Sequence, residues 1–202
     1  MGGMVLAKGE VERVNNKQVD GIAVISIVDG RKLGTVDHIY FDPLEKRVVG
    51  FAVTSGGGLL SPEAGSGGII DAADVHSLGQ DAMTVKDGSA LRGDDVSERY
   101  STLVDIGDLI KEKVVTEGGA LVGQVVSIEF DETSYRLQEV EVSPGYFKSN
   151  KRVPADQVTS IGQDVVVVAD AVCAPDAADT ATSSDEGRWV VGDLKERPAV
   201  ET

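Results

Sequence analysis

Few side chains in this sequence could take part in catalysis or in metal binding. The chain has two histidines, His38 and His76, and one cysteine, Cys173. It contains neither a Cys-x-x-Cys nor a His-x-x-x-His pair, so the usual ligands of a zinc site are missing, and the Gly-x-Ser-x-Gly motif of many hydrolases does not occur. We therefore predict a protein that is not an enzyme, with no catalytic, cofactor-binding or metal-binding residues. Both histidines are interpreted as solvent-facing strand residues.

Two further features invite a chemical interpretation. Asp42 and Asp131 each follow a phenylalanine, which could suggest a metal site. Aspartate at the end of a strand more commonly caps the following turn by accepting backbone N–H groups, and we predict that role for both residues. The glycine-rich stretch 56–68 lacks the Lys-Ser/Thr pair of a phosphate-binding loop, so we interpret it as a flexible loop. A small ligand bound by that loop remains an alternative.

Two groups of apolar residues are the candidates for binding a partner protein. Trp189, Val190 and Val191 form a compact cluster in an otherwise polar, acidic tail. Tryptophan is enriched at interaction hot spots, although this cluster could equally dock on the protein's own core. Tyr146 and Phe147 share one loop and either close the end of a barrel or form an exposed contact patch.

Composition restricts the classes of partner. The 202 residues include 19 basic and 34 acidic side chains, which give a net charge of -15. Such a field repels nucleic-acid phosphates and anionic lipids, so direct binding to either is not expected. No apolar run approaches the roughly 18 residues of a membrane helix, and no secretory signal is recognisable. With a single cysteine, these features favour a cytoplasmic protein.

An internal repeat dominates the sequence. The segment from Gly30 to Asp42, GRKLGTVDHIYFD, recurs from Gly119 to Asp131 as GALVGQVVSIEFD. The similarity resumes further on, where 70–81, IDAADVHSLGQD, matches 153–164, VPADQVTSIGQD. The matched positions include Gly30 with Gly119, Gly34 with Gly123, Phe41 with Phe130, and Asp42 with Asp131.

Each repeat has the pattern of short β-strands. Ile39 and Phe41 alternate with polar neighbours, as do Val140 and Val142, and turn residues recur at short intervals. The repeated glycines are suited to positive-φ turns or to barrel corners. Because about 60 residues are near the lower limit for an independent core, we expect the two copies to pack together with approximate two-fold symmetry, as a monomer or a weak homodimer.

The repeated motif resembles that of the PRC-barrel family, which is found in the cytoplasmic domain of the photosynthetic reaction centre H subunit and in the C-terminal domain of the ribosome maturation factor RimM. The family pattern is roughly Gly-x-x-Leu-Gly-x-Val-x-x-Ile-x-Phe-Asp; the first copy meets it, and the second meets it with Val122 in place of the leucine and adds the Val-Pro segment at Pro154. The resemblance implies an all-β protein of two tandem barrels that serves as an adaptor surface.

These observations predict the domain organisation and three functions. We expect an N-terminal segment 1–20, a first barrel 21–92, a second barrel 93–170, and a largely disordered acidic tail 171–202. The leading hypothesis is a non-enzymatic adaptor that binds a protein and organises an assembly. The alternatives are a ribosome-maturation or RNA-processing factor that binds a basic ribosomal protein, and a small-ligand binder that uses the loop 56–68. Residues 105–111 could form either a helical turn or a strand.

Overall fold

The computed structural model describes residues 12–54, 67–93, 100, 102–145, 148–162 and 164–173. Short strands rich in β-branched residues make up most of this part of the chain, and the helices among the described residues are single turns. The first repeat contains β1 Arg13–Asn15, α1 Asn16–Val19, β2 Ala23–Ser26, β3 Lys32–Asp42, β4 Arg47–Thr54, β5 Gly68–Asp71, β6 Val75–Leu78 and β7 Ala82–Val85. The second contains β8 Val104–Asp105, α2 Ile106–Leu109, β9 Lys113–Thr116, β10 Leu121–Asp131, β11 Leu137–Ser143, β12 Lys151–Pro154, β13 Val158–Ile161 and β14 Val165–Val168.

The two repeats have the same strand order. The first sheet runs β5-β4-β3-β2-β7-β6 and the second runs β12-β11-β10-β9-β14-β13. In each sheet one neighbouring pair is parallel, β2 with β7 and β9 with β14, and the other pairs along this order are antiparallel. Each sheet curves into a half-barrel, which confirms the predicted all-β fold of two tandem barrels.

The aliphatic core that the composition requires forms on the inner face of these sheets. The rings of Phe41 and Phe130 are fully buried at equivalent positions of β3 and β10. They are surrounded mainly by valine and isoleucine side chains that alternate with polar residues along the strands. The phenylalanines of the repeated motif therefore anchor the two halves of the core.

The repeated glycines have two different roles. Gly30 and Gly119 have φ angles of 67° and 83°, as expected for positive-φ turns. Gly34 and Gly123 have no positive φ, and instead lie where a neighbouring strand passes closely. A Cβ atom there would collide with the carbonyl oxygen of Thr54 or of Ser143. The close approach of the neighbouring strand therefore explains why this second pair is glycine.

The sequence was compatible with either a strand or a helical turn at residues 105–111. The structure contains both. Val104 and Asp105 form β8, and α2 follows directly, with the Asp105 side chain accepting the N–H of Gly107 at its N-terminus. The same arrangement occurs at β1 and α1, where Asn15 and Gln18 form a reciprocal capping box. Both segments therefore begin their repeat with one strand and one helical turn.

These opening segments are exchanged between the repeats. Strand β1 pairs with β10 of the second repeat, where Val14 lies opposite Phe130. Strand β8 pairs with β3 of the first repeat, where Val104 lies opposite Phe41. Each long central strand therefore completes its pairing with a strand from the other repeat, which gives the approximate two-fold arrangement expected for the two copies.

A second contact lies close to the pseudo-two-fold axis. Residues Arg47 and Arg136 form an antiparallel bridge. The hydrogen bonds of this bridge are made by the neighbouring residues. The Val48 N–H donates to the Tyr135 carbonyl and the Leu137 N–H donates to the Lys46 carbonyl, both at 2.8 Å. Lys46 and Tyr135 both have positive φ angles, 49° and 59°, although neither is glycine.

The predicted tail lies mostly outside the described residues, which end at Cys173. Residues 170–173 form a 3-10 turn after β14, and Cys173 is an exposed free thiol. Among the helices that the structure describes, none has the length and apolar character needed to cross a bilayer.

Candidate functional site

The aspartates of the repeated motif cap turns, as predicted. The Asp42 carboxylate accepts the backbone N–H groups of Leu44 and Glu45 at 2.8 and 3.1 Å. Asp131 accepts those of Thr133 and Ser134 in the same way. The hydroxyl of Ser134 and these N–H groups lower the pKa of Asp131, since they favour its charged form. In both turns one oxygen of the carboxylate accepts two backbone N–H groups.

The histidines are exposed, as expected from their places on β3 and β6, but His38 also has two acidic partners. Its Nδ1 lies 2.5 Å from the Asp105 carboxylate, and its Nε2 lies 3.1 Å from that of Asp37. Burial lowers the pKa of His38, but the Asp105 hydrogen bond and the negative charges of Asp105, Asp37 and Asp108 together raise it above its ordinary value. Because Asp105 belongs to the exchanged strand β8, this pair joins the two repeats.

Acidic side chains surround this junction. A cleft of about 420 Å³ is lined by Leu103 and Val104 together with Asp105, Asp108 and Glu112. Within the described part of the chain, no group of three or more histidine, cysteine or carboxylate side chains is arranged to hold a metal ion. The described geometry at this cleft is therefore that of a structural ion pair beside an acidic surface.

The candidate partner-binding residues identified from sequence lie outside the described residues. Tyr146 and Phe147 lie in a gap between described segments, and Trp189, Val190 and Val191 lie beyond the last described residue. Most of the loop 56–68 is also outside the described residues. Pro154 ends β12, where it pairs with Glu139 of β11.

An exposed apolar turn, which sequence reasoning did not single out, joins β2 to β3. Its residues Ile27 and Val28 are 51% and 70% exposed. Their side chains are held outward because their backbone N–H groups donate to the carbonyls of Val85 and Lys86, at 3.0 and 3.1 Å. We call residues 27 and 28 the apolar turn. Ile22 to Val28 is an apolar run in the sequence, but the run does not reveal that its last two residues leave the core.

Polar contacts hold the base of the apolar turn. The Ser26 hydroxyl donates to the Asp29 carboxylate at 2.5 Å, and Arg31 forms an ion pair with the same carboxylate at 3.1 Å. The Ser26 hydrogen bond is the main cause of a lowered pKa at Asp29. The Gly30 N–H donates to the Ser26 carbonyl at 2.9 Å and closes the turn. The apolar side chains are therefore presented by a backbone that is already fixed.

The corresponding turn of the second repeat has a different surface. It carries Glu117 and Gly118 in place of the apolar pair, directly before Gly119, which matches Gly30. The Glu117 carboxylate accepts from the Thr159 hydroxyl at 2.8 Å, and the Gly118 N–H donates to Asp170 at 2.8 Å. The apolar turn is thus a feature of the first repeat and is not required by the shared fold.

Comparison with known proteins agrees with the repeat. No curated protein matches the chain. A protein-family model described as the PRC-barrel domain matches it twice, at residues 14–92 and 102–171, which together make up more than half of its length. The chain therefore belongs to the PRC-barrel family and carries the domain in two tandem copies.

Proposed function

We propose that the protein is a non-enzymatic adaptor that binds another protein and organises an assembly in the cytoplasm. The observation that carries this proposal is the apolar turn, in which two large aliphatic side chains project from a backbone held by Val85, Lys86 and Asp29. Burying such side chains against a partner is favourable by about 25 cal/mol for each Å² removed from water. Because the turn is already ordered, little conformational entropy is lost on binding.

The clusters at Trp189–Val191 and at Tyr146–Phe147 are proposed as further contacts for the same partner. Tryptophan and tyrosine are enriched at interaction hot spots. The proposal requires only the apolar turn, so loss of the other clusters would weaken partner binding without abolishing it.

A basic partner, such as a ribosomal protein, is the second candidate. It is favoured by the net charge of -15, which attracts cationic surfaces and accelerates their association. The two candidates differ in their response to salt, because about 1 M salt reduces the Debye length to about 3 Å and screens exposed charges. Apolar contacts persist under those conditions.

The test is capture of partners by the tagged full-length chain at low salt and at about 1 M salt. The doubly substituted chain Ile27→Ser, Val28→Ser is compared with Leu121→Ser as a matched control, since Leu121 is also an exposed aliphatic residue, 66% accessible, but lies in the second repeat. The adaptor proposal expects a salt-resistant partner that the double substitution releases and the control retains. A partner lost at high salt and indifferent to the double substitution would favour the basic partner instead.

A further inference from the structure

A cleft between the two repeats contains an arginine whose Nε atom lacks a hydrogen-bond acceptor. The cleft, of about 360 Å³, lies between residues 72–78 of the first repeat and the turn 132–135 of the second, and Arg47 lines it. The Arg47 Nε atom is buried, yet it has no hydrogen-bond partner among the described residues. Leaving a buried charged donor unpaired is costly, so the cleft favours a ligand that brings an acceptor.

The equivalent position in the other half of the molecule is filled by the chain itself. There the Lys46 Nζ donates to the carbonyl oxygens of Ala155 and Val158. Tyr135 replaces Lys46 at the cleft, but its ring packs toward the core, with its centroid 5.9 Å from that of Phe51. The cleft at Arg47 therefore differs from the other half by an aromatic side chain in the place of the lysine.

The charge around Arg47 strengthens the same conclusion. Arg47 and Arg136 face each other across the bridge that joins the repeats. Like charges directly opposite each other in an antiparallel pair are destabilising, and an anion bound by Arg47 would offset part of the repulsion. His76 and Ser77, on the opposite wall of the cleft, add groups that can donate hydrogen bonds.

We propose that this cleft binds a small oxyanion, a phosphate or carboxylate group, with Arg47 as its principal ligand. A guanidinium group is suited to this role because its planar donors match both anions. The proposal is independent of partner binding by the apolar turn, which lies on another part of the first repeat.

One residue of the cleft opposes the ligand and so provides a sharp test. Glu132 also lines the cleft. A hydrogen bond that the protonated Glu132 carboxyl donates to Glu12, together with burial and the charges of Glu12 and Asp131, raises the pKa of Glu132. Where Glu132 is ionised its charge repels an anion, so Glu132→Gln should strengthen binding whereas Arg47→Gln should weaken it.

The experiment is an NMR titration of the ¹⁵N-labelled full-length chain, monitoring the arginine Nε–Hε signals. Inorganic phosphate and succinate are added separately, each against sodium chloride at matched ionic strength. We expect phosphate or succinate, but not chloride, to shift the Arg47 signal to saturation, and the more effective anion identifies the class of ligand. If neither anion shifts the signal beyond the chloride control, the proposal is wrong.

Three substitutions locate the site. Arg47→Gln should weaken binding about tenfold or more, since it removes a charge-assisted hydrogen bond. Glu132→Gln should strengthen it severalfold, and Arg31→Gln, which removes an arginine paired with Asp29, should leave it unchanged. If Arg47→Gln unfolds the protein, the anion affinity of Glu132→Gln, measured from the Arg47 signal that this variant retains, tests the proposal instead. Affinity that stays the same or falls in Glu132→Gln would place the anion elsewhere and overturn the proposal.

Discussion

Phe41 and Phe130 occupy the same position in the two repeats, and both rings are completely buried. Each also lies opposite the valine of an exchanged strand, so its surroundings belong to both repeats. Replacing Phe130 with Ala leaves a cavity between the sheet of the second repeat and β1. We expect a loss of about 3–5 kcal/mol in the free energy of unfolding, measured by urea denaturation, and a similar loss for Phe41→Ala.

The control for these substitutions is Leu44→Ala. Leu44 is 91% exposed at the turn after Asp42, so this change should alter the free energy of unfolding by no more than about 0.5 kcal/mol. A loss below about 1 kcal/mol for both phenylalanines would contradict the core described above.

The ion pair of His38 with Asp105 predicts a pH dependence of stability. Because the folded state raises the pKa of His38, it binds the proton more tightly than the unfolded state. The resulting stabilisation is complete below the ordinary histidine value of about 6.5, and it is lost as the pH rises through the higher folded-state pKa. In His38→Gln, this fall in Tm between acidic and mildly alkaline pH should disappear.

Two further substitutions separate this effect from a general loss of stability. Asp105→Asn should reduce the pH dependence, and it should lower Tm throughout because Asp105 caps α2. His76→Gln removes the exposed histidine of β6 and serves as the control for losing a histidine. An unchanged slope of Tm against pH in His38→Gln would show that the ion pair contributes nothing.

At the scale of single elements, α1 supports a strand of the other repeat. The Asn16 side-chain oxygen accepts the N–H of Ile128 at 3.0 Å, close to the shift in register between β10 and β11. Asn16→Ala leaves that N–H without its acceptor. Since Ile128 is buried, we expect a cost of about 1–3 kcal/mol.

Amide hydrogen exchange shows which residues lose protection in Asn16→Ala. In Asn16→Ala, the amide of Ile128 and its neighbours in β10 should exchange faster, although the substitution lies in the first repeat. The equivalent amide of Ile39 in β3 should be unaffected. Lys17→Ala, on the exposed side of α1, is the control, and faster exchange confined to residues near position 16 would refute the contact between repeats.

The sequence predicts the strands and the repeat, but it does not reveal this exchange. Alternation around Phe41 and Phe130 is strong because those strands are long and have one buried face. Strands β1 and β8 have only three and two residues, so no period can be recognised in them. The positive φ angles at Lys46 and Tyr135 were equally inaccessible, because neither residue type favours that conformation. The cleft at Arg47 could not be predicted either, because residues of both repeats line it.

At the scale of the whole molecule, the reciprocal exchange makes each repeat depend on the other. Neither β3 nor β10 is fully paired by its own repeat, and the bridge at Arg47 and Arg136 adds bonds between the hairpins. The full chain should therefore unfold in one transition, with equal calorimetric and van't Hoff enthalpies. Two separate transitions would mean that the barrels are independent.

Separate fragments carrying residues 12–93 and 102–173 provide the decisive version of this prediction. Alone, each fragment lacks the strand that covers Phe41 or Phe130, and it exposes an open strand edge that invites pairing with another chain. We expect neither fragment to be a folded monomer, as judged by NMR dispersion and analytical ultracentrifugation. Mixing them should restore a complex with one copy of each, because β1 and β8 then recover their partners. A fragment that is monomeric and well dispersed by itself would show that the exchange is dispensable for folding.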